Sequence, residues 1–221
     1  MICPAARWRH DAGAPIYAGV TLLGRAGLVV GCFDGTVLTL DRRNGAELSR
    51  ARIGGPIVSA PVIADDVAMV GSRDYLLYGV SLSRAAVVWR YSYWFSWVES
   101  VPRLVDGVAY LGSSDFRRVG AFDPATGKAL WLRDVRGLTW GTPVVTADTV
   151  YAGTHAQHPA YLHHEGGIVA LDRRTGAAKW RVAVPLPPGA ERAGYIGSLA
   201  LAGDALVAAG FDGTLTAYPL Q

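Results

Sequence analysis

A short pattern, Asp-x-x-Thr-Gly-x-x-x-Trp, returns along the chain at a near-fixed interval, and a period of that size restricts a sequence to repeat folds whose units stack on one another. Clean copies occupy residues 123–131 and 172–180. A third copy runs from Asp41 through Asn44 and Gly45 and ends in Ser49 where the Trp should stand; a fourth keeps Trp89 but has Ser81 in place of the Asp, and Trp8 supplies a fifth mark. Positions 8, 49, 89, 131 and 180 of this column lie 41, 40, 42 and 49 residues apart.

Each interval contains the same succession of short apolar runs. A segment with Pro or small residues (Ser59-Ala60-Pro61, Ser100-Val101-Pro102, Gly141-Thr142-Pro143) precedes an alternating run ending in Gly71, Gly112 or Gly153; a further run such as Ile168-Val169-Ala170-Leu171 leads into the Asp motif. That is four strands per repeat, lettered A to D from axis to rim, and repeats of about 40 residues with four strands are propeller blades. The fold expected is therefore all-β, a β-propeller of about five four-stranded blades in one domain over 1–221. The blades fall near 18–53, 57–92, 98–135, 139–184 and 195–221. The Thr-Gly or Asn-Gly pair suits a tight C-to-D hairpin because Gly takes positive φ without a steric penalty. The Asp before it can accept from backbone N–H groups two residues on. The Trp lies on the outer strand, where burying one ring against the next blade is worth about 4–6 kcal/mol as an upper bound.

With that motif at that spacing the chain resembles the PQQ-like, or quinoprotein alcohol dehydrogenase-like, propeller repeat over nearly its whole length. The resemblance implies a fold rather than an activity, since the superfamily includes quinoprotein dehydrogenases, an outer-membrane assembly lipoprotein and repeat domains attached to bacterial kinases. Most familiar members have seven or eight blades. Those that bind the quinone carry an adjacent cysteine pair and a calcium site, whereas Cys3 and Cys32 are far apart here. PQQ is accordingly not expected, nor is any other cofactor.

The last repeat stops after its third strand, and residues 5–10 carry Trp8 in the outer-strand position, so joining the ends would complete a fifth blade. Closure by this N-terminal strand is expected, because an open fan leaves sheet edges exposed. A closed ring would be a monomer, while a fragment of a longer propeller could oligomerise. Charged residues are only 18% and hydrophobic ones 51%, which suits an ordered globular body. The net charge of +3 comes from arginines scattered along the chain, a poor footprint for nucleic acid. Two cysteines, no apolar signal-like stretch over residues 1–10 and no membrane-length apolar run lead to the expectation of a soluble cytoplasmic protein with no membrane insertion.

Insertions locate the candidate site. From the end of strand B to the Asp column the repeats count 10, 10, 11, 19 and 10 residues, so the fourth blade has a long B-to-C loop at 155–166. The fifth has a long D-to-A entry at 185–194, on the same face of the adjacent blade. Long loops on a rigid scaffold are where binding residues collect. The first insertion holds His155, His158, His163 and His164, candidates for metal ligation or acid–base work that match no established zinc spacing; the second offers Arg192 with Tyr195 following. A second cluster runs from Tyr91 to Glu99 and includes Trp94 and Trp97. Aligning the inner strands on their prolines sets Tyr17, Val58, Glu99, Trp140 and Ile196 in one axial column, so Glu99 between Trp97 and Trp140 is a candidate acid, base or cation receptor. Asp34, Asp74, Asp115 and Asp212 recur at one position and read as B-to-C turn formers.

The function expected is a non-catalytic ligand- or protein-binding scaffold that receives a small molecule, peptide or protein on the loop-rich face. No nucleophile triad, P-loop, dinucleotide fingerprint or metallohydrolase motif is present. The alternative is an enzyme with an axial pocket, using Glu99, His163 or His164 for cyclisation, isomerisation or hydrolysis. A quinone-dependent dehydrogenase ranks last.

Overall fold

The computed structural model describes residues 5–158 and 163–220, and every regular element among them is a strand. Five sheets follow one another along the chain. The first blade consists of β1 (Val20–Leu23), β2 (Gly27–Gly31), β3 (Thr36–Asp41) and β4 (Glu47–Arg52), and the second of β5 (Val62–Ala64), β6 (Val67–Gly71), β7 (Leu76–Ser81) and β8 (Ala86–Ser92). The third contains β9 (Arg103–Val105), β10 (Val108–Gly112), β11 (Arg118–Phe122) and β12 (Ala129–Asp134). The fourth contains β13 (Val144–Val145), β14 (Thr149–Gln157), β15 (Gly166–Asp172) and β16 (Ala178–Val184), with β17 (Arg192–Gly194) joined to the far end of β14. The fifth has three strands, β18 (Ala200–Ala202), β19 (Ala205–Ala209) and β20 (Leu215–Pro219). All pairs are antiparallel neighbours in sequence, apart from β14 with β17.

The core lies between blades. Met69 and Leu77 of the second blade pack on Ala109, Leu111 and Phe122 of the third. Tyr110 and Val119 of the third meet Val150, Ala152 and Leu171 of the fourth. Each middle strand therefore buries both faces, which is why β6, β10 and β15 read as continuous apolar runs while the outer strands alternate.

The motif positions perform one repeated task. Asp41, Asp123 and Asp172 accept from the backbone N–H of Arg43 (2.7 Å), Ala125 (2.9 Å) and Thr175 (2.8 Å) and so close the C-to-D turns. Gly127 and Gly176 have φ of 72° and 69°, and a Cβ on either would enter the indole of the preceding blade, Trp89 or Trp131. Those indoles donate through Nε1 to the turn they cover, Trp89 to Pro124 O (2.9 Å) and Trp131 to Arg173 O (3.0 Å). Opposite each Trp on its own sheet stands a small residue, Gly79, Ala121 or Ala170, with a β-bulge just beyond it. A rim Trp thus binds its blade to the next one.

Closure of the ring is not seen. Residues 5–10 form no strand, and the fifth sheet lacks a fourth member among the described residues. Trp8 nevertheless occupies a rim position: its ring lies over Gly45 and its Nε1 donates to Arg42 O at 2.9 Å, repeating the arrangement of Trp89 and Trp131 against the first blade. A chain segment becomes an outer strand only when it shares hydrogen bonds with an inner strand, and among the described residues 5–10 pair with none. Cys3 lies outside the described residues, and Cys32 is a buried free thiol whose pKa burial raises.

Candidate binding face

The B-to-C turns and D-to-A connections share one face. Asp34, Asp74 and Asp212 shape its turns by accepting from Thr36 N (3.0 Å), Leu76 N (3.2 Å) and Thr214 N (3.0 Å). Asp115 instead accepts from the Ser114 hydroxyl at 2.9 Å. The two insertions pair with each other: β14 runs on past Gly153, and its His155, Ala156 and Gln157 lie opposite Gly194, Ala193 and Arg192 of β17. A two-stranded ribbon thereby bridges the fourth and fifth blades, supported by Tyr195 N donating to Thr154 O (2.9 Å) and His158 N to Glu191 O (2.8 Å).

This ribbon separates the histidines. His155 is fully buried, edge-on to Trp140 at 5.3 Å and beside Phe211 at 5.7 Å, and neither ring nitrogen has a partner among the described residues. Burial, reinforced by Arg192 and His164, pushes its pKa down to about 4, so it is a neutral imidazole. His158 and His163 are exposed, and His164 is half-buried with its pKa lowered, chiefly by burial and then by Arg117. His158, His163 and His164 line one cleft of about 630 Å³ with Gln157, Glu165 and Leu186. Among the described residues no three His, Cys, Asp or Glu side chains converge on a metal-sized point. Residues 159–162 of this loop lie outside the described set.

Glu99 is committed to an arginine. Arg73 Nε donates to its Oε1 at 2.7 Å, and the Glu99 side chain is only 12% exposed. The same guanidinium lies 4.9 Å from the Trp97 ring. Glu99 therefore braces Arg73 against an exposed indole, and its carboxylate is engaged by that guanidinium. Trp140 is half-buried with its Nε1 unpartnered among the described residues. Tyr195 is buried, shares a 2.6 Å hydrogen bond with the Tyr218 hydroxyl and has its pKa pushed up to about 12 by burial and that bond, so its phenol faces the blade interior rather than a ligand. Arg192 is exposed and lies 5.7 Å from the Phe211 ring.

What the face presents is aromatic. Trp94 and Phe95 are 68% and 80% exposed, Tyr75 lies 6.2 Å from Phe95, and Trp97 stands beside Arg73. Tyr75, Phe116 and Arg118 were not legible as site residues, because each lies in or directly after a B-to-C turn of its own repeat and only the blade geometry brings it beside residues 91–97.

The family model described as outer membrane protein assembly factor BamB matches residues 5–94 and 34–221. The chain belongs to the BamB family. BamB of Shewanella oneidensis is 25% identical in an alignment of 189 positions that covers 76% of this chain and 44% of that protein. The crystal structure of BamB from Moraxella catarrhalis superposes with a TM-score of 0.79 at 22% identity, over 96% of this chain and 61% of that one. A quinohemoprotein alcohol dehydrogenase of Pseudomonas putida shares the fold at a TM-score of 0.77 and 16% identity, over 97% of this chain and 42% of its own. The chain thus spans less than half the length of its curated BamB relative. BamB membership corrects the cytoplasmic expectation: by its name BamB serves assembly at the outer membrane. That expectation rested on the cysteine count and on the lack of a signal-like or membrane-length apolar stretch, and the first residues of a chain covering less than half of a relative do not report on its targeting. The described part contains no helix long and apolar enough to cross a membrane.

The dehydrogenase likeness raises the question of a quinone and its calcium. The residues do not fit them. Cys32 is buried with no adjacent cysteine, and Glu99, the one carboxylate in the axial column of Tyr17, Val58, Trp140 and Ile196, is held by Arg73.

Proposed function

We propose that this chain is a non-catalytic, protein-binding arc of propeller blades that presents its B-to-C and D-to-A loop face to a protein partner in outer-membrane assembly. The observation that carries the reading is the patch of Tyr75, Trp94, Phe95 and Trp97 around the braced Arg73, four large rings left open to solvent on one face. Aromatic residues and arginine dominate the energetic centres of protein interfaces, and a guanidinium fixed by a carboxylate loses little freedom on binding. BamB membership supports a protein partner over a metabolite, and supports the absence of a cofactor. Trp94, Trp97 and Arg192 are the proposed contact residues, with Glu99 as the brace; Trp140 and His155 support the loops from within.

The test is binding of the purified chain to the isolated outer-membrane assembly complex of its own organism, measured by biolayer interferometry. The Tyr75→Ser/Trp97→Ser double variant, which removes two of the exposed rings and keeps both members of the Arg73–Glu99 ion pair, should weaken binding by about 100-fold. Equal affinity of the variant and the original chain would remove the face from the interaction, and absence of binding by both would defeat the reading.

A further inference from the structure

Beneath the same aromatic turn, between the outer strand of the second blade and the third blade, lies a cleft of about 480 Å³ walled by Tyr91, Tyr93, Trp94, Phe95, Phe116 and Arg118. Its size is that of a small-ligand pocket. Two polar side chains of its wall are uncommitted. The Tyr93 side chain is 2% exposed, and its hydroxyl has no hydrogen-bond partner among the described residues. A phenol taken out of water in that way loses its hydrogen bonds to water without replacement, a penalty that folding alone gives no reason to keep when Phe would fill the same space. Arg118 is half-buried, and its guanidinium packs on the Phe116 ring at 4.3 Å with no carboxylate or other acceptor among the described residues. Its neighbours differ: Arg73 is paired with Glu99, Arg117 with Asp134 and Arg181 with Glu165. Burial raises the pKa of both Tyr91 and Tyr93 while Arg118 opposes the rise at each, so one positive charge acts on both phenols.

We propose that this cleft binds a carboxylate carried on an aromatic body. The guanidinium of Arg118 presents paired N–H donors that match the two oxygens of a carboxylate, and the Tyr93 hydroxyl supplies a further donor to the same anion. Trp94, Phe95 and Phe116 offer ring faces and edges to the aromatic part. Trp94 and Phe95 sit at φ of 45° and 64°, a region that bulky residues rarely occupy, and this backbone holds both rings at the cleft instead of folding them into the core. The ligand is either a free aromatic acid or an acidic side chain beside an aromatic one in a peptide. Trp94 and Phe95 belong to both surfaces, but the inference is tested apart from the assembly reading, because Tyr93 and Arg118 are not among the residues changed there.

The experiment titrates the chain with 3-phenylpropionate, phenethylamine and the capped dipeptide acetyl-Glu-Phe-amide, followed by saturation-transfer NMR and tryptophan fluorescence. The acid should bind with Kd on the order of 1 mM and the amine at least tenfold more weakly. Arg118→Gln should reduce affinity for the acid about tenfold or more. Tyr93→Phe should reduce it several-fold while leaving Tm unchanged or higher, a combination that a purely structural tyrosine would not give. Tighter binding of the dipeptide than of the acid assigns the site to a protein segment, and the reverse assigns it to a small molecule; both uphold it. Failure of both anions to bind, equal binding of the amine, or unchanged affinity in Arg118→Gln overturns it, as does a Tyr93→Phe variant of lower Tm and full affinity.

Discussion

Gly176 carries two constraints at once, a left-handed backbone and the ring of Trp131 resting where a side chain would begin. Gly176→Ala should therefore cost more than the about 1 kcal/mol of an ordinary loop substitution, on the order of 2–4 kcal/mol, because strain at positive φ adds to displacement of the indole. Gly189→Ala is the control: its φ is also positive, at 78°, but nothing lies within 4 Å of the added carbon. Urea denaturation of the two variants separates strain from the lost contact, and equal destabilisation would mean that Trp131 does not press on the turn. His155 makes a second residue-scale prediction. Its imidazole stays neutral in the folded chain down to about pH 4, whereas in the unfolded chain it takes up a proton near 6.5. The unfolded state thus binds more protons between these values, so stability is full above about pH 6.5 and falls as pH drops toward 4, by up to about 3 kcal/mol. His155→Phe, placed between Trp140 and Phe211, should flatten most of that slope. A smaller one of the same sign should remain from His164, whose pKa burial also lowers. An unchanged slope in denaturation midpoints measured from pH 7 to pH 4 would place the titration elsewhere.

At the level of elements, the ribbon of β14 and β17 ties two insertions into one structure, and Gly194 is its narrowest point. With φ of 92° and the Thr154 carbonyl where a Cβ would stand, Gly194→Ala should open the ribbon and destabilise the fold by about 1–3 kcal/mol. Hydrogen exchange should then lose protection at the amides of His158 and Tyr195, which donate across it, while β6 and β10 keep theirs. Retained protection at His158 and Tyr195 would show that the loop, not the ribbon, holds them. The insertions were legible in the sequence as departures from a count, and the count placed both on one face. Their pairing was not, because a short ladder joining 155–157 to 192–194 has no period to read and depends on how two blades meet. The same limit explains the site: Trp94, Trp97 and Glu99 stand out by composition, but the partner of Glu99 lies 26 residues earlier on another blade's turn. Blade strands and rim turns were readable because each repeats its reason, whereas Arg73, Phe116 and Arg118 act once.

For the whole molecule the blades form an arc, and inter-blade packing sets how far stability extends along it. An inner blade is covered on both sides by its neighbours; among the described residues the fifth packs on the fourth alone, and Leu201 and Leu215 remain 50% and 77% exposed. Trp180, the rim residue that should rest on the fifth blade's C-to-D turn, has its Nε1 buried with no partner among the described residues, so the fastening made by Trp89 and Trp131 is missing at this junction. In a repeat fold each unit is stabilised by its interfaces with the units beside it, so a blade with one interface and no rim fastening opens at the lowest free energy. Native-state hydrogen exchange should accordingly find β19 and β20 opening several kcal/mol below β6, β7, β10 and β11, in an event that leaves those four strands closed. A fifth blade exchanging only through global unfolding would mean that its outer face is covered in solution, and residues 5–10 would be the first segment to examine, since Ala217 stands in the small-residue column that faces each rim Trp.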